Sequence, residues 1–179
     1  MNTHVFDQAI ALTPTGPHHY SGATSPAYGN MVGPFGGVTA AVVMQSVMQH
    51  VQRLGEPISL TVNYAAALAD GPFSLTARPV RTNRSTQHWV MEITQPDANG
   101  EPTTVITATA VTAARRETWG VDDEPMPAVP SPADVPRARL EARVEWVSRY
   151  AMHPITGAQP TVWDGQGDGS LMQMWVRDD

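Results

Sequence analysis

The sequence predicts an α+β fold in which one antiparallel sheet packs its inner face on one long helix. Three observations carry that prediction. Helical apolar spacing is confined to a single stretch, beginning just after Gly36-Gly37. Four strand candidates follow it, three alternating and one long and β-branched, separated by short turn signals. Apolar residues make up 41% of the 179 and charged residues 16%, enough to build a core and too little charge for a disordered chain.

Taken in order, residues 1–35 are loop-rich, with two strand candidates, Phe6 to Leu12 and Tyr20 to Tyr28. Between them Pro14-Thr15-Gly16-Pro17 has the composition of a turn. The helix is expected from Val38 to Leu54, with Ala41, Met44, Val47, Met48, Val51 and Leu54 forming one apolar stripe. Gly55-Glu56-Pro57 ends it. Ile58, Leu60, Val62 and Tyr64 then alternate with Ser59, Thr61 and Asn63. Asp70-Gly71-Pro72 turns the chain into Phe73, Leu75 and Ala77. Arg81 to Thr86 is a polar bulge or tight turn before Trp89, Met91 and Ile93. Pro96 to Gly100 is a hairpin signal, and β-branched Thr103 to Ala114 reads as a central strand. Strands joined by such short turns are expected to lie antiparallel to their neighbours.

The domain boundaries follow from composition. Residues 1–116 form the folded domain. Residues 117–138 hold Asp122-Asp123-Glu124 and five prolines, the signature of an extended acidic linker. Residues 139–179 carry two further strand candidates, Leu140 to Trp146 and Ser170 to Val176, and read as the first strands of an incomplete second unit. The expectation is a truncated two-unit chain, or a tail that packs on the first unit.

Composition also excludes chemistries. Without cysteine there are no disulfides, thiolate nucleophiles, iron–sulfur clusters or cysteine-bound zinc. All eleven basic residues are arginine, which removes lysine Schiff bases and the P-loop lysine. Residues 1–116 balance six arginines against six acids, so the net charge of −6 sits wholly in the C-terminal third. No basic footprint for nucleic acid is expected. With no run of ~20 apolar residues and no signal-peptide pattern, the reading is cytoplasmic, with no membrane partner.

Several residues are candidates for chemistry. A glycine-rich helix start leaves backbone N–H groups unpaired at the positive end of the dipole, so Gly36 and Gly37 could receive a carbonyl oxygen, or simply allow close packing. Asn30 could orient a carbonyl or water, or complete a turn. Asn63 could bind ligand from its strand or serve structure. Arg78, Arg81 and Arg84 could pair with phosphate or be a solvated strand end. His88 could act as a base, or line a surface. His18 and His19 face opposite ways in a strand and so cannot chelate one metal easily. His50 reads as a favourable charge at the helix end. Asp164 to Gly169 begins like a calcium loop, but Trp175 stands where the bidentate Glu is needed, so no metal is expected.

Four blocks, in order and with consistent spacing over residues 30–112, resemble the bacterial acyl-CoA thioesterase II family and its thioesterase-like relatives. They are Gly33-Pro34-Phe35-Gly36-Gly37-Val38, Val62 to Gly71, Val80 to Ser85, and Asn99-Gly100-Glu101-Pro102 through Ala110. In the second block Ala66 and Ala69 replace the family's usual Phe and Pro, and its arginine is absent. The resemblance implies a hotdog fold, a sheet wrapped around one central helix, and two such units per chain. It implies hydrolysis of acyl-CoA to free acid and coenzyme A by an activated water, in fatty acid metabolism, with no cofactor. The family's Asp, Thr or Ser, and Gln that hold this water belong to the second unit, beyond Asp179. The catalytic candidates here are Asn30, Gly37 and His88. The substrate-binding set is Phe35, Gly36, Gly37, Asn63, Arg81, Arg84 and Ser85. The expected partners are acyl-CoA and a second hotdog unit or second copy, paired through an exposed sheet edge. The alternative is a non-catalytic acyl-CoA-binding or assembly unit. A hotdog dehydratase would want a histidine where this chain has Val32 to Phe35.

Overall fold

The computed structural model describes residues 4–138, 144–157, 165 and 169–179. The chain forms two compact units, Met1–Glu117 and Thr118–Asp179.

The first unit contains helices α1 (Val5–Ala9) and α2 (Gly36–Met48) and strands β1 (Thr13–Gly16), β2 (His19–Ala23), β3 (Glu56–Tyr64), β4 (Pro72–Thr82), β5 (Thr86–Pro96) and β6 (Pro102–Ala113). They make one six-stranded antiparallel sheet in the order β1-β2-β4-β5-β6-β3. Alternation decides which side chains turn inward. Phe73, Leu75 and Ala77 on β4, Trp89, Met91 and Ile93 on β5, and Ile106, Ala108 and Ala110 on β6 form one buried layer, with Val42, Val43 and Val47 of α2 in the same core. Each of the large ones contributes about 1.5–3 kcal/mol by leaving water. The opposite face carries Thr76, Arg78, Val90, Glu92, Thr107 and Thr109 and is polar by comparison. This is the hotdog fold.

Several sequence expectations are corrected. Phe6 to Leu12 is not a strand: α1 forms because His4 Nδ1 accepts from the Phe6 N–H at 3.2 Å and Phe6 packs edge-on against Tyr28. The first hairpin turns at Pro17-His18, because Thr13–Gly16 is already strand. β2 stops at Ala23, and Pro26–Tyr28 is a 3-10 turn with Pro26 at its start. Although joined by a short loop, β3 and β4 do not pair, and β3 lies beyond β6 at the sheet's edge.

α2 ends at Met48, six residues before the expected Leu54. Side chains capture the backbone that would have continued it: Gln52 N–H donates to His50 Nδ1, and Leu54 N–H donates to Gln87 Oε1. Its buried face is Val38, Thr39, Val42, Val43, Ser46 and Val47, sharing only Val47 with the expected stripe. Small side chains seat the helix close to the sheet, while Met44 and Met48 lie half-buried on its flank and Val51 is 94% exposed. His50 is not a solvated end charge. It is buried, and desolvation, then the nearby His18, holds its pKa below the usual imidazole value.

Gln87 and Gln95 sit near the two ends of β5, both buried, and each clamps a loop. Gln87 takes Leu54 N–H and donates to Gln52 C=O and Thr82 Oγ1. Gln95 takes Ala69 N–H and donates to the carbonyls of Ala69 and Pro72.

In the second unit, β7 (Tyr150–Thr156) pairs antiparallel with β8 (Gln173–Asp178). Trp146 lies in a 3-10 turn, Glu145–Arg149, and not in a strand, and residues 140–143 of that expected strand lie outside the described residues. So does most of the Asp164 to Gly169 loop. Trp175 Nε1 donates to Pro130 C=O, and Arg137 and Arg177 both reach the Asp179 carboxylate at 2.7 Å. These arginines hold the Asp179 carboxyl below its usual range.

Candidate functional site

The α2 start is built by a tight loop. Asn30 N–H donates to Gly33 C=O, and Phe35 N–H donates to Tyr28 C=O. Gly33 turns at φ +63°, with the Leu68 carbonyl where a Cβ would stand, so only glycine fits. Phe35 caps α2 without a side-chain bond, and its carbonyl accepts from Val38 and Thr39 N–H. Among the described residues, the N–H groups of Gly36 and Gly37 are left without a protein partner. A Cβ on Gly37 would stand 2.5 Å from the Phe35 ring, and one on Gly36 would stand 3.2 Å from the Tyr64 hydroxyl. Both glycines keep the donors open to an approaching oxygen.

Tyr64 is the neighbour that sequence reasoning missed. Its hydroxyl donates to the Gly36 carbonyl at 2.6 Å across the gap from β3 to α2. Burial pushes the phenol above its usual value, so it remains a donor at neutral pH. The signal was available: Tyr64 ends the β3 alternation on the same side as Leu60 and Val62, the side that faces the core. Asn63, one residue earlier, therefore faces the other way, and its amide donates to Thr107 Oγ1 on the outer surface. Asn30 is exposed at the loop.

Beneath the α2 start lies an apolar crevice lined by Ala9, Val38, Val42, Leu68, Phe73 and Ile93, with free space of only about 10 Å³. That is room for at most one water. Leu68 belongs to the β3–β4 loop that Gln95 clamps at Ala69.

The arginine candidates are elsewhere. In β4 the pairing passes from Pro79↔Trp89 to Arg81↔His88, so Val80 is a bulge. The bulge leaves both Arg78 and Arg81 on the outer face, with His88 opposite Arg81. Arg81 Nε donates to Asn83 Oδ1, Arg84 is exposed at the turn, and Ser85 offers its carbonyl to Ala114 N–H. From the level of Tyr64, paired with Ile106, to that of Glu56, paired with Ala113, is seven residues of β6. At 3.3 Å per residue, the α2 start and the arginine turn are about 23 Å apart along the strands. Thus Phe35, Gly36, Gly37 and Asn30 gather at one end of the sheet, and Arg81, Arg84, Ser85 and His88 at the other. Among the described residues no cluster of three metal-ligating side chains occurs, and no helix is long and apolar enough to cross a membrane.

Residues 25–113 match the family model of the acyl-CoA thioesterase N-terminal domain. A conserved protein of unknown function with a hot dog fold from Alicyclobacillus acidocaldarius is 44% identical, with a TM-score of 0.86 over 99% of this chain and 64% of its own. An acyl-CoA thioesterase II from Mycobacterium marinum shares the fold at 18% identity, with a TM-score of 0.70 over 97% of this chain and 60% of its own. The chain thus spans less than two thirds of the length of either. No curated protein is a significant match.

Proposed function

Because the chain belongs to the thioesterase-like hotdog superfamily, we propose that it serves the hydrolysis of acyl-CoA thioesters to free acid and coenzyme A. The observation that carries this reading is the pair of open N–H groups at Gly36 and Gly37, on the helix that the matched family segment spans. Thioester hydrolysis builds negative charge on the carbonyl oxygen, and two preset donors at the positive end of a helix stabilise it without reorganisation. Tyr64 fixes the Gly36 peptide by holding its carbonyl. Phe35 and the crevice beneath would receive the acyl chain, with Leu68 moving to make room. Asn30, on the loop before α2, would orient the water or carbonyl. Arg81, Arg84 and Ser85 would meet the phosphates. Acyl-CoA is long, with its thioester and its phosphates at opposite ends, and the separation of about 23 Å suits such a ligand. His88, on the outer face beside Arg81, belongs with the phosphate end rather than with the thioester. Asn63 likewise faces the outer surface.

The water-activating groups would come from a second hotdog unit, begun by residues 139–179 after the acidic 117–138 linker or supplied by another copy. β3 is the edge to which such a unit would add: Ile58 is 64% exposed and Tyr64 53%. A second reading, an acyl-CoA-binding or assembly unit without turnover, is favoured by one observation. The Tyr64 hydroxyl is spent on Gly36 and not aimed at a water.

The deciding experiment follows free thiol release from acyl-CoA of graded chain length, alongside equilibrium binding on the same sample. Turnover that falls at least tenfold in Tyr64→Phe supports hydrolysis assisted at the α2 start. Saturable binding without thiol release supports the binding reading. Neither binding nor release would sink both.

A further inference from the structure

We propose that His18 and His50 form a proton-operated latch, which holds the β1–β2 turn against the exit of α2 at neutral pH and releases it on acidification. The pair stands outside the proposed site, and nothing in the thioester reading uses it.

The geometry fixes where the protons are. His18 Nδ1 lies 2.9 Å from His50 Nε2, and the two ring planes are parallel to within 6°. The other nitrogen of His50, Nδ1, accepts the Gln52 N–H at 3.1 Å, so it carries no proton. Neutral His50 must then be protonated on Nε2 and donate to His18 Nδ1. His18 in turn keeps its own proton on Nε2. This single arrangement satisfies every contact.

A proton added at the half-buried His18 ring lands on Nδ1, the nitrogen that accepts. Two N–H groups then face each other at 2.9 Å. His50 cannot escape by moving its proton to Nδ1, because Gln52 N–H occupies that lone pair. Protonating His50 instead buries a cation at a residue only 4% exposed. Protonating His18 thus breaks the bond between the rings, and protonating His50 expels the Gln52 N–H from Nδ1, so either way one of the two contacts that hold the hairpin to the α2 exit is lost.

The surroundings offer one partial rescue, the Pro17 carbonyl, whose hydrogen bond with His50 favours the charged ring but is outweighed by burial and His18. From the hairpin come Pro17 C=O and the buried Tyr20. From the α2 exit come Gln52 N–H and Arg53, whose charge is paired with Glu56. From β5 comes the Trp89 edge, 5.0 Å from the His50 ring, while His88 is on the other face. β4 offers Ala77 N–H, bonded to His18 C=O, and β6 offers Thr112, bonded to Trp89 Nε1. Among the described residues neither imidazole has a carboxylate partner that would stabilise its charged form.

The sign follows. Burial and the neighbouring imidazole lower the His50 pKa from its ordinary value. A histidine whose folded value is depressed contributes stability that is fully present above the unfolded value, ~6.5, and is lost as pH falls below it. The latch therefore holds above the ordinary imidazole value and weakens as pH falls below it.

Long-range nitrogen NMR of the imidazoles reads the tautomers on the unmodified chain. His50 is expected as the Nε2–H form, titrating below the ordinary imidazole value. Hydrogen exchange reads the release: the Ala77 amide, bonded to His18 C=O, should lose about tenfold more protection between pH 7.5 and 5.5, corrected for intrinsic rate, than the Met91 amide. His18→Leu should abolish that difference. If His50 is protonated on Nδ1, or titrates at or above the ordinary value, the proposal is overturned. It is equally overturned if Ala77 and Met91 lose protection in step in the unmodified chain.

Discussion

Gln87 satisfies three polar groups, two on the α2–β3 loop and one on β4, with one buried amide. Removing it leaves the half-buried Leu54 N–H, the Gln52 C=O and the Thr82 hydroxyl without this partner. Gln87→Ala is therefore expected to cost about 3 kcal/mol, read as a lowered denaturation midpoint with unchanged slope. Gln95→Ala should cost a similar amount but act at the other end, loosening Leu68 and the crevice wall. Gly55 sits at φ +71°, and a Cβ there would stand 2.0 Å from the Ala113 carbonyl. Gly55→Ala should destabilise by about 3 kcal/mol or more in the same measurement, because both the backbone and the contact resist it. None of these single-residue roles shows in periodicity. A buried glutamine and a surface glutamine look alike until the loops they serve are in place.

At the scale of elements, β4, β5 and β6 were legible because alternation and turn chemistry agree along all three. Phe73, Trp89 and Ile106 point inward as the pattern requires. α2 was legible as a helix but not in its face or its end. Val, Thr and Ser at Val42, Thr39 and Ser46 weigh little on a hydrophobic count, yet they are what allow close approach to the sheet. α1 was misread because a five-residue helix depends on its His4 cap and on Tyr28, not on a repeat. The edge position of β3 also escaped, since sequence order placed β3 beside β4. Its exposure makes a test: Ile58→Lys should shift stability of the isolated chain by less than about 0.5 kcal/mol. The same change should suppress association through that edge, read by sedimentation velocity, if β3 is where a second unit joins.

For the whole molecule, the first unit is electrically lopsided although its net charge is near zero. Five of its six arginines, Arg53, Arg81, Arg84, Arg115 and Arg116, lie at or just beyond one end of the sheet, with Glu56 and Glu117, while Arg78 stands in mid-strand. Asp70, Asp97 and Glu101 lie at the other, where backbone N–H groups of Glu101 and Asn99 hold the Asp97 carboxyl below its usual range. If the phosphates of acyl-CoA use the arginine end, Arg81→Ala with Arg84→Ala should raise KM about tenfold at low salt and far less at 0.5 M, with kcat unchanged. The sequence contained every one of these residues but not their separation. Between Gly36 and Arg81 the chain runs through α2, β3 and most of β4, and only the strand pairing sets them at opposite ends of the sheet.

Val80 gives β4 one residue more than its pairing with β5 consumes. Deleting any other residue of that strand would turn everything beyond it upside down. Deleting Val80 would keep Arg78, Pro79 and Arg81 on the faces they already occupy. β4 thus carries its own tolerance for a length change, and relatives one residue shorter here would present the same arginine surface.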